Sequence, residues 1–165
     1  QLMDQYPTLT VILVPRHPER FDTIEKELIS RKLSFCRFSK TDECVGNVVL
    51  IDAMGLLRSC YQIADVAIVA GSFTEKVGGH NILEPLLYGV PVIFGPHMHG
   101  QPDLLRLVLE YKAGIQLTSS QISETIDEIL NNQPLRDGLI SAGLTLMKET
   151  SGSTNRTLKW LESLN

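Results

Sequence analysis

Several classes of protein are excluded by what this sequence lacks. No stretch approaches the roughly 18 consecutive apolar residues of a membrane span. The opening QLMDQYPTLT has neither a basic start nor a long apolar segment, so no signal peptide is expected. Positive charge is not in excess: the net charge is −4 and the pI about 5.5. A general nucleic-acid surface needs a basic face, so nucleic acid is not expected as a partner. A local cluster can still take the phosphate of a single nucleotide on an acidic protein. Cysteine is scarce. Cys36, Cys44 and Cys60 are odd in number and form no C-x-x-C, so three reduced thiols and no zinc site are expected. There is no G-x-G-x-x-G after the first strand and no P-loop with its G-K-S/T. Ser72 lies outside any G-x-S-x-G context, and no nucleophile constellation is evident.

What remains has the balance of a globular protein, with 43 % apolar and 21 % charged residues. A chain of 165 residues suits one domain, 1–165. Gln1 stands in the place of Met, so a longer parent protein is expected. Short apolar runs alternate with helical periodicity. The strands are expected at Thr10–Val14, Ser34–Phe38, Asn47–Ile51, Val66–Ala70, Val90–Phe94 and Ala113–Leu117. Helices are expected near Glu19–Lys32, Gly55–Ile63, up to Tyr88, Gln101–Tyr111, Gln121–Leu130, Pro134–Lys148 and Thr154–Leu164. Phe21, Ile24 and Leu28 share one face of the first of these. Trp160 reads as packing in the last. This alternation predicts an α/β fold: a Rossmann-like, doubly wound parallel sheet with a helical tail. Such sheets bind ligands beyond the carboxyl ends of their strands.

Four strand-end loops are polar enough to matter. Pro15-Arg16-His17-Pro18 places an arginine where it suits a phosphate or carboxylate, or is simply a surface arginine beside a capping histidine. In Asp52-Ala53-Met54-Gly55, the N–H groups of Met54, Gly55 and Leu56 can face an anion, or Asp52 simply caps the next helix. Gly71-Ser72 is followed by Lys76, then Gly78-Gly79-His80-Asn81, with Glu84 beyond. Adjacent glycines let backbone approach a ligand, or form only a turn capped by Asn81. Glu84 is expected about one turn inside a helix, where a carboxylate can accept from two vicinal ribose hydroxyls. It stands in an otherwise apolar segment, and an acid there needs a partner. His97 and His99, at i and i+2, read as a solvated loop rather than a metal site.

The order of these pieces is specific. PRHPERF (Pro15–Phe21), DAMGLL (Asp52–Leu57), YQIADVAIVAGS (Tyr61–Ser72), GGHNILEP (Gly78–Pro85) and YGVPVIFGPH (Tyr88–His97) closely resemble one family. It is the 3-deoxy-D-manno-octulosonic acid (Kdo) transferases of lipopolysaccharide synthesis. The resemblance runs from about Val11 to Gly114 and covers the carboxyl-terminal half of such an enzyme. It implies a two-Rossmann (GT-B) glycosyltransferase that moves Kdo from CMP-Kdo to the lipid A precursor at the cytoplasmic face of the inner membrane. No cofactor or metal is implied. The nucleotide-binding set would be Arg16, His17, Met54, Gly55, Leu56, Ser72, Lys76, Gly78, Gly79, His80, Asn81 and Glu84. Arg16 would hold the CMP phosphate or the sugar acid, and Glu84 the ribose. Lys76-Val77 departs from the family pattern, in which an arginine directly precedes Gly-Gly-His-Asn. The membrane contact, the acceptor site and the catalytic acidic residue would belong to an amino-terminal domain absent from this chain, which alone would be soluble and inactive. The alternatives are a UDP-sugar-dependent GT-B domain and a non-catalytic nucleotide-binding module.

Overall fold

The apolar runs become strands, each shorter than its predicted span. They are β1 (Val11–Leu13), β2 (Phe35–Arg37), β3 (Val48–Leu50), β4 (Ala67–Val69), β5 (Val92–Phe94) and β6 (Gly114–Gln116). The helices are α1 (Leu2–Gln5), α2 (Phe21–Ser30), α3 (Leu57–Tyr61), α4 (Pro102–Glu110), α5 (Ile122–Asn131) and α6 (Gln133–Glu162). This computed structural model describes residues 2–40 and 46–162, with side chains through Ser151. The chain divides into two compact units, Gln1–Cys60 and Tyr61–Asn165.

In the first unit the strands are parallel in the order β1-β3-β2, with Val48 opposite both Val11 and Phe35. Pro18 opens a short 3-10 turn, Pro18–Arg20, that leads into α2. A proline costs nothing there, because the first N–H groups of a helix have no partner in any case. Phe21 and Leu28 are buried and Ile24 packs against the cluster around Leu28, the face that the i, i+3, i+7 spacing predicts. Leu28 meets Val48 and Leu50, with Val11, Leu13, Leu33 and Phe35 around them. Burying Leu50 completely contributes about 2 kcal/mol.

The second unit pairs β4-β5-β6 in sequential order, again parallel. All three residues of the central β5 are buried. Alternation sends Val92 and Phe94 to one face, against Ile82, Leu86, Met98, Val108 and Leu146. Ile93 goes to the other face, against Leu117, Ile129 and Leu139. Val108 lies on α4 and Ile129 on α5, so helices cover both faces of this sheet. A strand with two covered faces has no polar alternation, and this is why VPVIF is apolar throughout. Both units are thus parallel α/β, the class expected of the sequence, each hydrogen-bonded as its own three-stranded sheet.

Three expectations are corrected. The two predicted tail helices are one helix, α6, because Gly152 between them costs only about 1 kcal/mol in a helix interior and no proline follows it. The side chain of Trp160 lies outside the described residues. The segment before Tyr88 is not an α-helix but a 3-10 turn, Pro85–Tyr88, closed by Gly89 in the left-handed conformation (φ 66°). Cys36, buried in β2, takes part in a disulfide, whereas Cys60 is free; Cys44 lies outside the described residues. Spacing gives no sign of such a bond, since pairing follows tertiary approach rather than sequence interval.

Candidate functional site

In the first unit, β1 and β3 deliver two of the predicted loops. Arg16 and His17 are both exposed beyond the carboxyl end of β1. The His17 imidazole lies 3.8 Å from the Glu19 carboxylate. Beyond β3, Met54 is exposed and Leu56 half-buried. Gly55 adopts φ 85° with open space where a side chain would stand. A left-handed turn of this kind favours glycine and aims consecutive N–H groups the same way.

Asp52 does not cap α3. Its side chain, 2 % exposed, turns to β2 and the turn after it. One carboxylate oxygen accepts the Ser39 N–H at 2.8 Å. The other accepts from the Ser39 hydroxyl and from Arg37 Nε. Arg37 Nη1 also donates to Asp22 at 2.7 Å and to Glu25 at 2.6 Å, and Lys40 donates to Glu25 at 2.8 Å. Burial alone would raise the Asp52 carboxyl, but the Ser39 hydroxyl, Arg37 and the Ser39 N–H together hold it down at about 2. Hydrogen bonds from Lys40, and then from Arg37, also hold Glu25 below its ordinary value despite its partial burial. The hydrogen bonds to Asp52, and then those to Asp22 and Glu25, raise Arg37 further, so it stays charged.

The sign of the pH effect follows. A depressed carboxyl contributes stability that is complete above its unfolded value and is lost as pH falls through its folded one. Urea unfolding should therefore show the stability advantage of the wild type over Asp52→Asn shrinking between about pH 5 and about pH 2. A constant difference across that window would show that Asp52 is not ionised in the fold.

In the second unit the ends of β4 and β5 are fastened by Ser72. It is completely buried. Its hydroxyl donates to the Val69 carbonyl and accepts the Gly95 N–H at 2.6 Å. Its carbonyl accepts the His97 N–H at 2.9 Å. Ser72 is thus engaged in holding the two strand ends, where the sequence suggested a lining residue.

The glycine pair packs on the loop after β5. Gly78 (φ 71°) and Gly79 (φ 82°) are both buried. The Gly78 carbonyl accepts the Gly100 N–H at 3.1 Å. A side chain at Gly78 would meet the His99 ring, with Cε1 at 2.7 Å, and one at Gly79 would meet Met98 Sδ and the His97 carbonyl. His80 is half-buried beside Gly71, while Lys76 and Val77 are exposed.

Two placements differ from expectation. Asn81 caps no helix; its side-chain oxygen accepts the Leu83 N–H at 3.0 Å, a local turn. Glu84 sits half-buried immediately before the Pro85–Tyr88 turn rather than one turn inside a helix. Pro85 explains the shift, because proline is pre-set for a first helical position and starts the turn there.

Each unit therefore gathers its predicted residues at the carboxyl ends of its own strands, the side on which parallel sheets bind ligands. The Arg37–Ser39–Asp52 cluster escaped the sequence reading. Its one signal was an arginine inside a predicted strand, Ser34–Phe38.

No protein-family model matches the chain. Individual proteins do. It is 37 % identical to the 3-deoxy-D-manno-octulosonic acid transferase of Haemophilus influenzae over 98 % of its length, covering 38 % of that enzyme. It is 35 % identical to the transferase of Aquifex aeolicus over 79 % of its length, covering 36 % of that one. Among solved structures it superposes on the C-terminal CMP-Kdo binding domain of WaaA from Acinetobacter baumannii, with a TM-score of 0.82, 28 % identity, and coverage of 88 % of this chain and 77 % of that one. The chain is similar to Kdo transferases in sequence and to a C-terminal CMP-Kdo binding domain in fold. It spans little more than a third of the length of the curated Kdo transferases it matches. The C-terminal domain of a group 1 glycosyl transferase from Francisella tularensis shares the fold, with a TM-score of 0.63 at 19 % identity. Among the described residues, no helix is long and apolar enough to cross a membrane.

Proposed function

We propose that this chain is the donor-binding part of a glycosyltransferase that moves Kdo from CMP-Kdo to a lipid A precursor in lipopolysaccharide synthesis. The observation that carries the reading is the superposition on a CMP-Kdo binding domain, together with identity above 30 % to named Kdo transferases. The parent enzyme would work at the cytoplasmic face of the inner membrane. Its acceptor site, membrane contact and catalytic acidic residue would lie in the part of the enzyme that this chain does not span.

The chemistry gives each strand-end residue a task. Breaking the bond between the Kdo anomeric carbon and CMP leaves negative charge on the departing phosphate. Fixed donors aimed at that charge stabilise it as it develops. Arg16 supplies a guanidinium fork, and the turn at Met54-Gly55-Leu56 supplies N–H groups. His17 adds a polar group beside Arg16 after β1, and Lys76 a cationic one in the loop after β4. Gly78 and Gly79 let backbone approach the nucleotide, with His80 and Asn81 beside them and Ser72 holding the loop's base. Glu84 accepts from the ribose hydroxyls.

A titration of CMP, UMP and UDP against the 165-residue chain by NMR tests this reading. CMP preference is expected, with amide shifts at Arg16, Gly55 and Glu84 and a weak affinity. UDP preference would retain the fold and replace the donor. Absence of binding to all three would overturn the reading of this chain as a self-sufficient donor site.

A further inference from the structure

A heavily bonded polar cluster of the first unit ends on Asp52, the residue that opens a predicted loop. Asp52 is almost entirely buried, and Arg37 is only 14 % exposed. Withdrawing charged groups from water is costly, and well-packed apolar residues often serve stability as well or better. A purely structural role is therefore a poor account of them.

The geometry supplies another. The carboxylate of Asp52 faces Ser39 and Arg37, and its bonds come from those residues and from its own N–H. It is thus withheld from capping the backbone that follows. Two residues on, among the described residues, no hydrogen bond takes up the N–H groups of Met54 and Gly55. Arg37 is fixed in turn by Asp22 and Glu25 on α2. The cluster ties β2, α2 and the end of β3 together, and the open turn springs from that fixed point.

We propose that Arg37, Ser39 and Asp52 are positioning residues: they hold the turn after Asp52 so that the free N–H groups of Met54 and Gly55 receive the donor's phosphate. This rests on the CMP-Kdo reading above. It assigns control over donor affinity to residues outside the predicted ligand set.

The test is CMP binding to the 165-residue chain, followed by amide NMR, in the wild type, Ser39→Ala, Arg37→Lys and Asp52→Asn. Ser39→Ala keeps the backbone donor and should weaken CMP about threefold, the loss of one hydrogen bond to a charged group partly offset by those that remain. Asp52→Asn should weaken it tenfold or more. The decisive readout is local: the CMP-induced shift at the Gly55 amide fades in that order while the shift at the Glu84 amide persists. A merely structural defect would diminish both together. If the wild type binds CMP and the folded variants bind it equally, with the Gly55 shift intact, the positioning role is overturned and the donor reading stands. If the wild type does not bind CMP, the donor reading falls and takes the positioning role with it. Should Asp52→Asn fail to fold, Ser39→Ala and Arg37→Lys decide the matter.

Discussion

Gly95→Ala is expected to destabilise the protein by about 3 kcal/mol. Gly95 follows β5, and its N–H donates to the Ser72 hydroxyl. A Cβ there would lie 2.7 Å from the Ser72 carbonyl carbon and closer still to its oxygen. Those are backbone atoms, fixed by the ladder between β4 and β5, so no side-chain rotation relieves the clash. For a chain of this size, about 3 kcal/mol lowers the melting temperature by roughly 10 °C. Gly138→Ala is the matched control. Gly138 lies within α6 with nothing near its missing side chain, so alanine there should stabilise by about 0.5–1 kcal/mol. Urea unfolding of both variants checks the pair. Equal effects would mean that the Ser72–Gly95 junction can open at no cost.

Arg16→Lys in the full-length parent enzyme is expected to cut turnover with CMP-Kdo about a hundredfold, the scale of losing a donor aimed at developing charge. Lysine keeps the charge but offers a flexible point in place of a planar fork. Glu84→Ala should act on the other half of the reaction. It should raise the CMP-Kdo concentration needed for half-maximal rate, with turnover at saturation largely kept, because ribose contacts do not change as the bond to phosphate breaks. Steady-state kinetics with varied donor separates the two. Near-normal turnover in Arg16→Lys would remove the arginine from the reaction, and unchanged donor dependence in Glu84→Ala would remove the ribose contact.

The parallel strands were legible because buried strands read as short apolar runs between glycines and prolines. VVLI, VAIVA and VPVIF announce themselves. Helix ends were less legible. Gly152 looked like a stop, yet one glycine is too small a penalty to break α6. Asn81 looked like a cap, yet Pro85 four residues later set the turn's start. The strand-end residues themselves were found from loop chemistry. What escaped was the partnership of Arg37 with Asp52, fifteen residues apart, because ion pairs between strands depend on register that no local pattern encodes.

The order β1-β3-β2 has a consequence for the nascent chain. β1 and β2 leave the ribosome before β3 and are not neighbours. Neither gains a ladder until β3, the strand that lies between them, has been synthesised. Helix α2 can form early, but its apolar face waits with them. In the second unit each new strand adds to the edge of the one before, so β4, β5 and β6 can be laid down stepwise. At about 5–20 residues per second, the first half of this chain is exposed to chaperones and misassociation until Leu50 arrives, while the second half grows on a template that is already built.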